Sequence, residues 1–183
     1  MDHRKLFSDT IRGIHSKPAP KRMAVKVIAV DGPGAAGKTV LAERLAVELG
    51  GAQIVHTDDF ASWDNPLNWW PELIEQALEP LASGRPARYK PTSWGGEERE
   101  QLVIQPAEFV ILEGVSSSRE AFRPYLTYSI WIETPRDLRL ERGLERDGEQ
   151  ARAQWEKWMA AEDEYIEREK PHEHADVVFP GDL

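Results

Sequence analysis

The 183-residue sequence contains no cysteine and no long hydrophobic run. Without cysteine, neither disulfides nor thiolate metal sites can form, and a cytoplasmic location is the simplest expectation. The apolar runs at residues 25–30 and 109–112 are far shorter than the about 20 residues that a membrane-spanning helix needs. Residues 1–22 are basic but lack the apolar segment of a secretory signal, so we expect no membrane partner.

Positive charge is also in short supply. The 32 acidic residues outnumber the 23 lysines and arginines, which gives a net charge of −9. This balance argues against a nucleic-acid partner, because a nucleic-acid interface needs a broad positive field. A phosphorylated small molecule is still compatible with the sequence, because its site needs only local positive charge.

The hydrophobic pattern alternates between strands and helices. Short apolar, β-branched runs predict strands, and apolar residues three and four apart predict helices. We expect strands at 25–30, 53–56, 109–112, 128–132 and 175–179, and helices at 6–15, 38–49, 71–81, 118–122, 135–146 and 149–170. Residues 83–99, which contain glycines, prolines and basic residues, are expected to form a loop. Such alternation predicts an α/β fold with a parallel sheet and right-handed crossovers.

The strongest local motif follows the first predicted strand. Residues 32–39 read Gly-Pro-Gly-Ala-Ala-Gly-Lys-Thr, which fits the phosphate-binding pattern G-x-x-x-x-G-K-[ST] at every fixed position. The glycines let backbone N–H groups turn towards phosphate oxygens, and the helix that follows adds its positive end. Lys38 is predicted to reach the β- and γ-phosphates of ATP, and Thr39 to bind Mg²⁺. The predicted nucleotide-binding residues are Gly32, Gly34, Ala35, Ala36, Gly37, Lys38, Thr39 and Val40.

Asparagine occurs only at Asn65 and Asn68, and this narrows the class of phosphate-loop protein. A switch GTPase would carry an Asn-Lys-x-Asp motif to read guanine, and an Asp-x-x-Gly motif after a later strand. The sequence has neither feature. A motor or transporter ATPase would need a much longer chain, so a small-molecule kinase is the class that remains.

Further segments resemble the motifs of one kinase group when they are taken in order with the phosphate loop. They are Thr57-Asp58-Asp59-Phe60 after the second strand, Glu113-Gly114 after the third, the arginine-rich stretch 139–147, and Ala175-Asp176-Val177-Val178 in the last strand. Over about residues 24–179 the sequence therefore resembles the uridine kinase and pantothenate kinase group of P-loop kinases.

The resemblance implies a fold and an activity. The fold is that of the nucleoside monophosphate kinases, a P-loop NTPase three-layer sandwich with a five-stranded parallel sheet and a lid. The activity is transfer of the γ-phosphate of ATP, with Mg²⁺, to a hydroxyl of a small-molecule acceptor. Residues 23–183 would form the kinase domain, with the lid at about 136–150, and residues 1–22 a helical extension with its linker.

Acidic residues at two predicted strand ends are candidates for the chemistry. Asp58 matches the position of the group's catalytic carboxylate, and a carboxylate there can deprotonate a hydroxyl or hold Mg²⁺ through water. Capping or turn formation is the alternative for Asp58 and Asp59, and it is open whether Asp59 shares the role. Glu113 ends an apolar strand, where ligands bind in open α/β sheets, and is predicted to hold Mg²⁺-bound water or the acceptor. A solvated strand end is the alternative.

Arg139, Arg142 and Arg146 recur at helical spacing and so share one helix face. Arginines placed in this way can clamp the phosphoryl group during transfer. The resemblance to a lid helix favours Arg142 and Arg146 for this role. A salt-bridged surface is the alternative, because glutamates are interleaved. Gly143 stands where the group often has another arginine, so a lid of different shape is expected.

The acceptor side is less well defined. The resemblance implies that Tyr89 contacts the acceptor. In uridine kinases an acidic residue typically follows this tyrosine, whereas Lys90 follows it here, which puts uridine and cytidine in doubt. Basic residues in this segment would suit an acceptor that is already anionic, with solvent exposure as the alternative. They are Arg85, Arg88 and Lys90.

Tryptophans cluster around the same segment, at Trp63, Trp69, Trp70 and Trp94. Packing in a hydrophobic core is favoured over stacking on a planar ligand. Trp155 and Trp158, three residues apart on a helix, are predicted to lie in the core.

Two other functions stay open. One is a non-catalytic nucleotide-binding module with a regulatory role, and the other is a nucleoside monophosphate kinase. Acceptor-dependent release of ADP separates an enzyme from the regulatory module, and two diphosphate products identify the monophosphate kinase. A homodimer is also left open.

Overall fold

The described part of the chain contains a five-stranded sheet, a two-stranded sheet and the helices that cover them. A computed structural model describes residues 3–62, 65–93, 97 and 99–181. Its strands are β1 Lys26–Asp31, β2 Gln53–His56, β3 Ala87–Tyr89, β4 Leu102–Ile104, β5 Phe109–Glu113, β6 Leu126–Glu133 and β7 Val177–Pro180. Its helices are α1 His3–Ser16, α2 Lys38–Glu48, α3 Trp70–Leu73, α4 Glu79–Ala82, α5 Arg136–Asp147, α6 Arg152–Glu169 and α7 Pro171–His174. Within these ranges, no helix combines the length and the apolar character needed to cross a bilayer.

The main sheet has the strand order β2-β5-β1-β6-β7, and its pairs are parallel. This confirms the predicted α/β fold with a five-stranded parallel sheet. In the register, Glu113 lies opposite both Val30 and His56. Because parallel strands end at the same edge, the segments that follow β1, β2 and β5 meet there.

The two faces of the sheet build separate halves of the core. Successive residues of a strand point to opposite faces. Ile28 accordingly packs in the cluster that contains Leu45 of α2, and Val27 in the cluster that contains Trp69. Helix α1 lies on the α2 side, where Ile14 is fully buried. Helices thus cover both faces, which confirms the three-layer arrangement.

Most of the predicted elements are present. The five strands predicted from apolar runs correspond to β1, β2, β5, β6 and β7, with ends that differ by a residue or two. The helices predicted at 6–15, 38–49, 71–81, 135–146 and 149–170 are also confirmed. Strands β1 and β5 are short apolar runs buried along almost their whole length, and helices α2 and α6 bury residues three and four apart, so the local pattern was sufficient to find them.

Two local predictions were wrong, each because a distant partner decides the structure. Residues 83–99 are not all loop, since β3 pairs antiparallel with β4. A strand of three residues carries too little pattern to be found without its partner. The helix expected at 118–122 is replaced by turns, in which the N–H of Phe122 donates to the carbonyl of Arg119, three residues back, and both the N–H and the hydroxyl of Ser118 are held by Asp31.

The helical stretch between Trp70 and Ala82 contains a π-helical segment at Ile74–Leu78. There the N–H of Glu79 donates to the carbonyl of Ile74, five residues back. Pro80 has no N–H to donate and its ring crowds the preceding turn, which accounts for the wider turn at this point.

Asp31 joins the phosphate-loop strand to two other parts of the fold. Its fully buried carboxylate accepts five hydrogen bonds of 2.6–2.9 Å. The donors are the N–H groups of Gly32, Ser116 and Ser118 and the hydroxyls of Ser118 and Tyr165. Burial raises the pKa of Asp31, and the donors oppose that rise. The residue therefore fixes the end of β1 against the turn after β5 and against α6.

Replacement of Asp31 by asparagine is expected to lower the free energy of unfolding by about 3 kcal/mol, because the amide protons would face donors that need an acceptor. Tyr165→Phe is the control, and it should cost about 1 kcal/mol because it removes one donor only. Urea unfolding followed by circular dichroism measures both variants. Equal, small losses would show that the Asp31 bonds do not hold these segments together.

Candidate active site

The phosphate loop, residues 32–39, joins the end of β1 to the start of α2. Gly37 precedes the helix with φ at 98°, a left-handed conformation that side chains disfavour. The turn at this glycine leads the chain directly into α2. As at any helix N-terminus, the first N–H groups of α2 have no carbonyl partner within the helix and can bind phosphate oxygens.

Lys38 is buried and its ammonium group lies against the loop. Nζ donates to the carbonyl of Pro33 at 2.8 Å. The charge of Lys38 also acts on three nearby carboxylates, those of Asp58, Glu113 and Glu162. The loop lysine thus lies at the centre of three carboxylates.

A chain of three polar side chains crosses the sheet edge beside the loop. Thr39 donates its hydroxyl to Glu113 Oε1 at 3.2 Å, and Glu113 Oε2 lies 2.6 Å from His56 Nδ1. Burial acts to raise the pKa of Glu113, but the bond with His56 and the charge of Lys38 outweigh it and lower the pKa. The same bond raises the pKa of His56, against the effect of burial. Glu113 is therefore held in its ionised form.

The single 3₁₀ turn Thr57–Asp59 sends its two carboxylates to different places. Asp58 lines the cavity beside the phosphate loop, and burial in this cleft raises its pKa while Lys38 opposes the rise. Asp59 instead accepts a hydrogen bond from the hydroxyl of Tyr89 at 3.2 Å. Tyr89 is almost fully buried, and neither Asp59 nor Tyr89 is among the described residues that line this cavity.

Arg142 and Arg146 line the cavity together with the phosphate loop. Arg142 donates to the carbonyl of Gly181 at 2.8 Å and approaches that of Ala35 at 3.5 Å, so it ties α5 to the loop. Arg146 is exposed and forms a two-point ion pair with Asp147, at 2.8 and 2.9 Å. Arg139 faces elsewhere, because it is buried and pairs with Glu162.

Gly143 makes room for an aromatic wall. A Cβ atom at this position would lie 2.5 Å from the ring of Trp155, so any larger residue would displace the indole. The ring lies 5.4 Å from the guanidinium of Arg146, and its Nε1–H donates to Asp147 at 2.9 Å. The place of an additional lid arginine is thus taken by a tryptophan from α6.

Residues predicted near the acceptor are divided between core and surface. Trp69 is buried and Trp70 packs against the same cluster, which confirms the packing interpretation for both. Trp63 and Trp94 lie outside the described residues. The three basic residues that were considered for an anionic acceptor, Arg85, Arg88 and Lys90, are all exposed at the surface.

Sequence reasoning did not identify several residues of the site region as functional, among them His56, Trp155, Trp158 and Glu162. Trp155 and Trp158 were predicted to be core, and Trp155 is indeed buried, but both also line the cavity. A signal for Glu162 was available, because an acidic residue that continues an aromatic helix face is a candidate for a buried carboxylate. His56 had no such signal, since only the strand register brings it beside Glu113.

These side chains surround a cavity of about 860 Å³. This is within the range of about 300–1,000 Å³ that is usual for ligand sites. The cavity contacts residues 34–40 of the predicted nucleotide-binding set, but Gly32 is not among its described lining residues. The structure therefore brings Lys38, Thr39, Asp58, Glu113 and Arg146 to one space.

The donor set fits Mg²⁺ bound jointly with a substrate. The Thr39 hydroxyl and the Glu113 carboxylate are in direct contact, and Asp58 lines the same cavity. No cluster of three or more metal-binding side chains occurs within the described ranges. Mg²⁺ commonly uses one or two carboxylates together with phosphates and water, and the residues present match that pattern.

Comparisons with known proteins agree with the geometry. No model of a protein family matches the chain. A uridine kinase of Halobacterium salinarum is 27% identical over 180 residues, covering 84% of this chain and 79% of that protein. A uridine kinase of Shewanella piezotolerans is 27% identical over 186 residues, covering 84% and 86%. The solved structure of a "possible uridine kinase" from Bacillus stearothermophilus matches with a TM-score of 0.74 at 21% identity, covering 98% of this chain and 100% of that one. The resemblance to uridine kinases and the P-loop kinase fold are confirmed.

The bond between His56 and Glu113 predicts a pH-dependent stability. Because the folded pKa of His56 is raised, its contribution is complete below about 6.5, the usual histidine pKa, and is lost as the pH rises through the folded value. In urea unfolding without added Mg²⁺, the free energy of unfolding should therefore decline above neutral pH.

His56→Asn should remove this decline, and His172→Asn, at an exposed position, should retain it. If the free energy of unfolding of His56→Asn declines above neutral pH as much as that of the unmodified chain, the His56–Glu113 bond is not the cause of the decline.

Proposed function

We propose that the chain is an ATP-dependent kinase that transfers the γ-phosphate to a hydroxyl group of a small molecule. The observation that supports this best is the shared cavity of Lys38, Thr39, Asp58, Glu113 and Arg146. Phosphate binding alone would require only the loop residues. A carboxylate and an arginine in the same space are the further groups that phosphoryl transfer requires. Similarity to relatives named uridine kinase supports a phosphotransferase.

In this proposal the loop N–H groups and Lys38 hold the β- and γ-phosphates of ATP. Thr39 would bind Mg²⁺, with Asp58 and Glu113 reaching it partly through water, and the ion would neutralise charge on the phosphates. His56 keeps Glu113 ionised and correctly oriented through the 2.6 Å bond. Arg142 links α5 to the carbonyl of Gly181 after β7 at 2.8 Å and, at 3.5 Å, to that of Ala35 in the loop.

Asp58 is proposed to accept the proton of the attacking hydroxyl. The hydroxyl oxygen forms the new bond to the γ-phosphorus, the bond to the bridging oxygen breaks, and ADP leaves. Burial raises the pKa of Asp58, which makes its carboxylate a stronger base than an exposed aspartate. Arg146, at the cavity rim, would stabilise the charge on the transferred group.

The lid in this proposal consists of residues 136–150. It contains all of α5 and the first two residues of the 3₁₀ turn Glu149–Ala151. The kinase domain is residues 23–183, with α1 packed on its α2 side. The guanidinium of Arg146 lies over the ring of Trp155 and pairs with Asp147, and Trp155 also donates to Asp147.

The acceptor is proposed only as a small molecule with a free hydroxyl. Lys90 replaces the acidic residue typical of uridine kinases after Tyr89, so uridine is one candidate among several. The test is ADP release from MgATP in the presence of nucleosides, sugars, vitamin precursors and nucleoside monophosphates. If ATP binds and no acceptor raises turnover above the water background, the chain is a regulatory nucleotide-binding module instead. Two diphosphate products would identify a monophosphate kinase.

Asp58→Asn is expected to lower kcat by about 10²–10⁴-fold, because a positioned base contributes that much to proton transfer. The Kd for MgATP, measured by calorimetry, should change little, because the loop contacts are retained. Asp59→Asn removes the neighbouring carboxylate, which contacts Tyr89, and should affect kcat far less. Unchanged turnover in Asp58→Asn would remove this residue from the mechanism.

A further inference from the structure

Helix α6 turns one face towards the phosphate loop. Trp155, Glu162 and Tyr165 lie on this face, and Tyr165 donates its hydroxyl to Asp31 at 2.7 Å. At Gly34 a Cβ atom would lie 2.9 Å from the Glu162 carboxylate and 3.0 Å from the Trp155 ring. The helix is therefore in direct contact with the loop and with the strand that leads into it.

Glu162 makes the closest polar contact between this helix and the loop. Its Oε1 accepts the N–H of Gly34 at 3.0 Å, and its Oε2 accepts Arg139 Nη1 at 3.2 Å. Both side chains of the ion pair are about 95% buried, at 4% and 5% exposure. Burial raises the pKa of Glu162, while Lys38, Gly34 and Arg139 act to lower it. No step of the proposed transfer uses this carboxylate.

The position of this carboxylate conflicts with phosphate binding. In loops of this kind, backbone N–H groups are the donors that receive phosphate oxygens. One N–H cannot serve a carboxylate and a phosphate equally well. A phosphate bound at this N–H would also be adjacent to the carboxylate, and two adjacent anions repel each other strongly where water is excluded. Arg139 offers Glu162 a second partner that does not depend on the loop.

We propose that Glu162 is an internal competitor for the phosphates of the nucleotide. A polyphosphate that enters the loop displaces the carboxylate from Gly34, and Arg139 retains it. The displacement breaks the contact of Glu162 with the loop beside Trp155, which stacks on Arg146, while the bond of Tyr165 to Asp31 keeps α6 anchored. Nucleotide binding is thereby linked to the position of the lid arginine. This inference rests on the proposed nucleotide site, but not on the acceptor or on the transfer step.

The test compares Glu162→Gln with Asp163→Asn. Both variants remove one negative charge at adjacent positions, but only residue 162 contacts the loop. Asp163 is half-exposed and pairs with Arg136 at 3.2 Å and, at the longer distance of 4.0 Å, with Arg139. Glutamine keeps the size of the side chain and a weaker, neutral acceptor for Gly34. The Kd for MgATP, measured by calorimetry, should fall about tenfold in Glu162→Gln, the effect of replacing a charged by a neutral hydrogen-bond acceptor. It should stay within about twofold in Asp163→Asn, an exposed site whose charge contributes little.

Equal or weaker binding of MgATP by Glu162→Gln, relative to the unmodified chain, would overturn the proposal, because it would make the carboxylate a brace for the loop. If this variant does not fold, the double variant Glu162→Gln with Arg139→Gln removes both buried charges. It should still bind MgATP more tightly than the unmodified chain, and weaker binding overturns the proposal. The kinase assignment fails separately: the acceptor screen can be negative while Glu162→Gln still tightens MgATP binding.

Discussion

The hydrogen bonds to the Asp31 carboxylate fix the position of the phosphate loop, and the rest of the site depends on it. This buried group receives donors from the start of the loop, from the turn after β5 and from α6. A buried carboxylate that loses its donors is costly, so only one mutual arrangement of these three segments is stable. These bonds therefore fix the relative positions of the phosphate loop, the end of β5 that carries Glu113, and the face of α6 that carries Trp155 and Tyr165.

The electrostatics of the site follow from this arrangement. Lys38 is a buried cation among Asp58, Glu113 and Glu162, each of which feels its charge. In the proposed site a polyphosphate would bind the lysine and the loop N–H groups, and Mg²⁺ would bind the carboxylates, so each ligand would favour the other. A chain with a net charge of −9 can therefore contain a phosphate site, because the relevant field is local.

The sequence was a good guide wherever an element carries its own local pattern. The main-sheet strands could be predicted from short apolar runs, the long helices from residues at helical spacing, and the phosphate loop from fixed residue types at fixed spacing. The β3–β4 pair and the turns at 118–122 could not, because their structure depends on partners far away in the chain. The N–H and the hydroxyl of Ser118, for example, are bound by Asp31, which lies 87 residues away in the chain.

The sequence by itself determined that the phosphate loop, Asp58 and Glu113 follow three strands of one parallel sheet. The residues after such strands meet at one edge of the sheet, so their proximity could be predicted. Only the tertiary structure decided how those residues divide the work. In that structure Asp59 binds Tyr89 whereas Asp58 lines the cavity. Arg139 forms an ion pair with Glu162, and His56 forms a hydrogen bond with Glu113. These outcomes depend on which side chains share a buried space, and burial makes each unpaired charge too costly to leave without a partner.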